Sequence, residues 1–204
     1  MNKLTLWIAA VFIWMGTVSA FAQQGYQVGD KARDFDLKTV HGDRISLKGH
    51  TDAKGFLVVF SCNTCPYVVA YEDRMIDLHH KYAPMGYPLI AINPNDAQIS
   101  PGDSFEKMKE RAKKKNFPFA YAYDETQEIT KAYGATNTPQ VYLLEKSGGD
   151  FIVKYIGAID NNYQDESAVT KKYVDEAMEA VLTGASVREE RTKAIGCTIK
   201  WRKL

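Results

Sequence analysis

An apolar run, Phe56-Leu57-Val58-Val59-Phe60, leads through Ser61 into Cys62-Asn63-Thr64-Cys65-Pro66. Continuous β-branched and aromatic residues suit a strand buried on both faces. Val68, Tyr71, Met75, Leu78 and Tyr82 then recur at helical spacing, which predicts a helix over 66–83. The two cysteines therefore stand where a buried strand ends and a helix begins. A cysteine near a helix N-terminus feels the positive end of the macrodipole and free backbone N–H donors, and both favour thiolate over thiol. Pro66 falls in the first helical turn, where its missing N–H removes no intrahelical bond. Two intervening residues let the helical turn bring Cys65 back to Cys62, so a disulfide can close over a short ring. On this reading Cys62 is the more exposed sulfur and attacks first, and Cys65 resolves the mixed disulfide.

Other uses of the pair stay open. A permanent disulfide over a two-residue loop would restrain little of the unfolded chain. A structural zinc site needs two further ligands. Cys197 is the third and last cysteine, and His41, His50, His79 and His80 are scattered without ligand spacing. No metal and no cofactor is expected.

Around this centre the chain alternates strand and helix patterns. Phe35/Leu37 and Ile45/Leu47 flank the turn signal His41-Gly42-Asp43, predicting an N-terminal β-hairpin within 26–50. Pro88 to Ile92 reads as a second buried strand, and Asp103 to Lys115 as an amphipathic helix. Tyr121 and Tyr123 read as core positions of a strand. A short helix over 126–133 stops at Gly134. Strands over 140–144 and 151–156 enclose the turn Ser147-Gly148-Gly149-Asp150, and a last helix is predicted over 166–183, with Val169 among its inward residues. The order predicts an α/β domain, a central mixed β-sheet flanked by helices.

Composition narrows the partners. The 204 residues are 45% hydrophobic and 25% charged, which excludes a disordered chain. Lys+Arg 26 against Asp+Glu 25 gives a net charge of +1, so no nucleic-acid partner is expected. Lys113-Lys114-Lys115 reads as a solvated helix end facing a favourable dipole. Lys3 carries the only charge in residues 1–22; the apolar stretch Leu4 to Val18 and then Ala20-Phe21-Ala22 follow it. That is the plan of a secretory signal peptide. We expect a leader over 1–22, a mature domain over 23–204 without stable membrane insertion, and a periplasmic or secreted location in which disulfides persist.

Thr136-Asn137-Thr138-Pro139-Gln140 directly precedes the strand over 140–144. A proline opening a strand after a small polar residue is a candidate cis peptide. With strand–Cys-x-x-Cys–helix upstream, the chain resembles the thioredoxin superfamily. That resemblance implies a thioredoxin-like fold in which Pro139 sits against the cysteines and the Thr138 backbone pairs with an extended client peptide. An additional βα unit around 88–115 and the opening Val28-Gly29-Asp30-Lys31-Ala32-Arg33-Asp34-Phe35-Asp36-Leu37 are similar to the redoxin branch of alkyl hydroperoxide reductases and thiol-specific antioxidants. Phe60 to Tyr67, Ala91 to Asp96, Tyr133 to Pro139 and Gly196 to Trp201 carry the same likeness.

The resemblance implies a thiol–disulfide oxidoreductase acting on protein thiols or disulfides through Cys62 and Cys65, with Thr138 and Pro139 binding the client and a membrane-linked electron donor. Cys197 is a buried structural thiol or a third redox cysteine. A peroxidatic site of that branch follows P-x-x-x-T-x-x-C, and Gly55 and Val59 occupy its proline and threonine places. Copper delivery on this fold uses three residues between its cysteines and a downstream histidine, whereas two stand here and none follows His80. Thioredoxin's buried carboxylate on the strand before the cysteines is also missing, which leaves a water or a carboxylate from elsewhere. A thiol peroxidase and a redox-silent peptide-binding module are the alternatives.

Overall fold

The computed structural model describes residues 25–203, so the expected leader over 1–22 lies outside it. Among the described residues a seven-stranded mixed sheet runs in the order β2-β1-β5-β4-β3-β7-β8. The N-terminal hairpin is β1 (Leu37–Thr39) and β2 (Arg44–Ile45), with Leu37 opposite Ile45. β3 (Gly55–Phe60) lies parallel to β4 (Leu89–Asn93), which lies parallel to β5 (Ala120–Tyr123). β7 (Gln140–Ser147) returns antiparallel to β3 and pairs with β8 (Asp150–Gly157). Four α-helices cover the sheet: α1 (Pro66–Tyr82), α2 (Phe105–Lys115), α3 (Glu128–Tyr133) and α4 (Tyr173–Thr183).

The apolar run of β3 is continuous because both of its faces are core. Leu57 and Val59 join α1, α2 and α4 on one side. Phe56, Val58 and Phe60 join α3, the hairpin residues and Ile199 on the other. Each such side chain contributes about 1.5–3 kcal/mol by leaving water. Two ion pairs then fix the helix that follows. Buried Glu72 of α1 accepts from Arg111 of α2 through both carboxylate oxygens at 2.6 Å. Arg74 donates to Asp160 at 2.6 Å, and Asp160 also accepts the Tyr71 hydroxyl at 2.8 Å. Breaking a buried pair of this kind costs about 3–5 kcal/mol, chiefly by stranding the other charge.

Three predicted helices start later than their patterns, α3 by two residues at Glu128. Residues Pro101–Asp103 form a separate 3-10 turn and α2 starts at Phe105, so Asp103 is turned inward rather than standing in a first helical turn. The helix expected over 166–183 begins only at Tyr173. Asn161 Oδ1 accepts the N–H groups of Thr170 and Lys171, and Asp165 caps a 3-10 turn at Glu166–Ala168. Those local bonds hold Val169 outside the helix. Two strands have no counterpart in the pattern: β9 (Cys197–Thr198) and β6 (Asn137–Thr138), which pair as a second, two-stranded sheet.

Candidate active site

β3 ends at Phe60, and Cys65 is the extended N-cap residue of α1, with Pro66 as its first helical residue. The four residues 62–65 therefore bridge a fully buried strand and a helix start, as their order predicts. Two βα units, β4–α2 and β5–α3, intervene before the peptide bond between Thr138 and Pro139, which is cis. That bond faces the cysteines. Cys62 Sγ lies 3.3 Å from the Thr138 hydroxyl, and Cys65 Sγ lies 3.2 Å from the Thr138 carbonyl oxygen.

The expected difference in exposure between the sulfurs is absent. Cys62 is 3% exposed and Cys65 is 2% exposed. Their charges do differ, in the direction opposite to a Cys62 thiolate. The hydrogen bond it gives to Cys65 and its own burial push the Cys62 thiol far up, and the nearby Asp103 charge adds to this. Receiving that bond lowers Cys65 to about 5, against burial; its Cys197 neighbour and the backbone amides of Val68 and Cys197 help. The two thiols thus titrate as a coupled pair around one shared proton, with Cys62 raised and Cys65 lowered.

Beneath the two intervening residues lies Asp103, which is 0% exposed. Its Oδ1 accepts the backbone N–H groups of Asn63 at 2.7 Å and Thr64 at 3.1 Å. Its Oδ2 accepts from Thr64 Oγ1, Asn95 Nδ2 and Ser100 Oγ at 3.0, 2.8 and 2.6 Å. A buried carboxylate therefore does stand beside the cysteine loop, from the loop before α2 rather than from β3, but it bonds that loop's backbone and the Thr64 hydroxyl and no sulfur. Tyr121 is core, as expected, yet its hydroxyl also reaches the site and donates to Asn63 Oδ1 at 2.9 Å.

Above the sulfurs lies the chain's own C-terminal segment. The backbone edge of Thr138, expected to be open to a client, is taken by β9, with Thr138 opposite Cys197 and Asn137 opposite Thr198. Asn137 Nδ2 donates to the Gly196 carbonyl at 3.0 Å, and the Ile199 N–H to the Thr136 carbonyl at 3.1 Å. Tyr67 and Cys197 pack on the cluster of Cys62, Cys65 and Val68. Farther along, Asn95 Oδ1 accepts the Lys200 N–H at 2.9 Å, and Arg202 Nε pairs with Asp96 at 2.8 Å.

The structure therefore unites Cys62, Cys65, Thr138, Pro139 and Cys197, and adds Asp103, Asn95, Tyr121 and Gly196. The Asn93-Pro94-Asn95-Asp96 turn and the Gly-Cys-Thr-Ile-Lys segment at 196–200 were visible as motifs. Their meeting at the cysteines was not. Asp103 reads in sequence as an ordinary helix-start acid.

Residues 28–156 match the AhpC/TSA family. The thiol-disulfide oxidoreductase ResA of Bacillus thuringiensis subsp. konkukian is 27% identical over 156 residues, covering 72% of this chain and 84% of that protein. The crystal structure of an uncharacterized conserved protein from Geobacillus kaustophilus is 36% identical, with a TM-score of 0.79 over 86% of this chain and 93% of its own. That of a hypothetical protein from Sinorhizobium meliloti is 32% identical, with a TM-score of 0.80 over 88% and 97%.

Proposed function

The chain belongs to the AhpC/TSA family, and we propose that within it this protein is an exported thiol–disulfide oxidoreductase that exchanges disulfides with client proteins through Cys62 and Cys65. The observation that carries this reading is the contact of both sulfurs with Thr138, at 3.3 and 3.2 Å, beside a cis-proline and ahead of a helix. The likeness to ResA, a thiol-disulfide oxidoreductase by name, supports the same class of reaction.

The chemistry follows from the shared proton. Cys62 attacks a client disulfide as its proton passes to the Cys65 sulfur, and the client's leaving sulfur departs as a thiolate that then takes that proton from Cys65. Cys65, once deprotonated, then attacks Cys62 Sγ, releases the reduced client and closes the Cys62–Cys65 disulfide. Run backward, the same steps oxidise a client dithiol; the reduction potential sets the direction. A client reaching Cys62 by pairing with Thr138 displaces β9 first. Export is supported by the leader pattern over 1–22, and among the described residues no helix is long and apolar enough to cross a membrane. As an exported reductase it would draw its electrons from a membrane-linked donor.

Insulin reduction in the presence of dithiothreitol tests the activity. The wild type is expected to accelerate precipitation and Cys62→Ser to run at the uncatalysed rate; equal rates would refute the reading. Peroxide consumption is the family's other chemistry. Val59 and Gly55 replace the threonine and proline of the peroxidatic pattern, so consumption no faster than that of a free thiol is expected.

A further inference from the structure

Cys197 belongs to neither the strand end nor the helix start, yet it reaches the dithiol. β9 sets it opposite Thr138, whose carbonyl oxygen lies 3.2 Å from Cys65 Sγ. Gly196 permits this approach, because a β-carbon there would lie 2.1 Å from the Thr138 carbonyl oxygen. Cys197 packs on the cluster formed by Cys62, Cys65 and Val68. Among the described residues no three His, Cys, Asp or Glu side chains converge as the ligands of one ion would. A third thiol packed on the dithiol is placed for exchange at its sulfurs, a displacement in which attacking, central and leaving atoms approach a line.

We propose that Cys197 is a third redox-active residue, which takes the disulfide from the Cys62–Cys65 pair by attacking Cys65 Sγ within the same chain. The proposal rests on the dithiol reading above. The Cys197 thiolate bonds to Cys65 as the Cys62–Cys65 bond breaks. The electron pair leaves on Cys62 Sγ, which takes up the proton that Cys197 gave up. One disulfide is present before and after, so the only oxidant required is the client disulfide that first oxidised the pair.

The oxidised state favours this step. Burial and then the adjoining Cys65 sulfur hold the Cys197 thiol up at about 11, while Lys200 pulls it down. Once Cys65 is in a disulfide its negative charge is gone, and Lys200 acts without that opposition. The product frees Cys62 and fastens the C-terminal strand covalently across the cis-proline.

The test uses the full chain, oxidised with one equivalent of diamide, quenched with N-ethylmaleimide in acid and mapped by peptide mass spectrometry without reduction. The wild type is expected to show both Cys62–Cys65 and Cys65–Cys197 links, in a ratio independent of protein concentration, with Cys62 partly alkylated. Cys197→Ser should lose the Cys62 alkylation, and Cys62→Ser should close the Cys65–Cys197 link within one chain. Cys197 fully alkylated in the wild type and in Cys62→Ser would overturn the proposal, as would a link that forms only between chains. If Cys197→Ser meanwhile oxidises normally, the third cysteine alone is refuted. If Cys62 and Cys65 of that variant both stay alkylated, the dithiol reading falls and takes this proposal with it.

Discussion

The cysteine loop lies between two layers held by different means. Below it, one fully buried carboxylate, Asp103, takes five donors from residues 63, 64, 95 and 100. Above it, a two-residue ladder is held by Ile199 in the core and by an ion pair in which the Arg202 side chain is 53% exposed. A buried charge cannot leave its donors without stranding them, whereas the two-residue ladder parts by exposing one core side chain, Ile199, and a few hydrogen bonds. The lower layer therefore sets geometry and the upper one controls access.

The largest effect should come from breaking the sulfur pair that both layers enclose. Cys62→Ala removes the main donor to Cys65, so the thiolate step near pH 5 should climb toward the ordinary 9.0. The charged form of a thiol is the deprotonated one, so the reduced wild type keeps its thiolate down to about pH 5 and the variant loses it at higher pH. Each unit is worth about 1.4 kcal/mol. Thiolate absorbance against pH reads the step, and an unmoved step would show that Cys62 is not its cause.

Next in size, Asp103→Ala should cost about 3–5 kcal/mol in urea unfolding, because it strands buried backbone donors. A loss below about 1 kcal/mol would put the lower layer on the same footing as an exposed contact. Gly196→Ala, which forces a β-carbon onto the Thr138 carbonyl, should cost about 1–3 kcal/mol and speed alkylation of both Cys62 and Cys65; unchanged alkylation would mean that β9 is not the cover. The smallest change is expected of Arg202→Ala. Its pair with Asp96 is half solvated and should contribute at most about 1 kcal/mol, so a larger loss would show an upper layer as fixed as the lower.

Strand β3, helix α1 and the Thr138–Pro139 loop were legible because their signals are local: an apolar run, a 3.6-residue period, and prolines at a helix start and a strand start. The mixed sheet followed from the order of those elements. The two layers were not legible, because each depends on residues far apart in the chain. A two-residue strand such as Cys197–Thr198 has no period to detect, and nothing near Gly196 announces Thr138 as its neighbour. Asp103 carries the ordinary signature of a helix start, and only the 3-10 turn at Pro101–Asp103 aims it inward. The equal burial of Cys62 and Cys65 follows from β9 and was hidden with it. The short α4 has a similar origin, since Asn161 draws off the amides of residues 170 and 171 across a loop.

The Asn95 amide has one end in each layer. Its nitrogen donates to Asp103 and its oxygen accepts from Lys200. When the C-terminal strand lifts, the nitrogen keeps its partner and the oxygen loses one, at a place that is dry while the strand is down. A solvent molecule entering to satisfy that carbonyl would ease opening, and its expulsion would accompany closure. Uncovering and hydration of the cysteine loop would then be a single event.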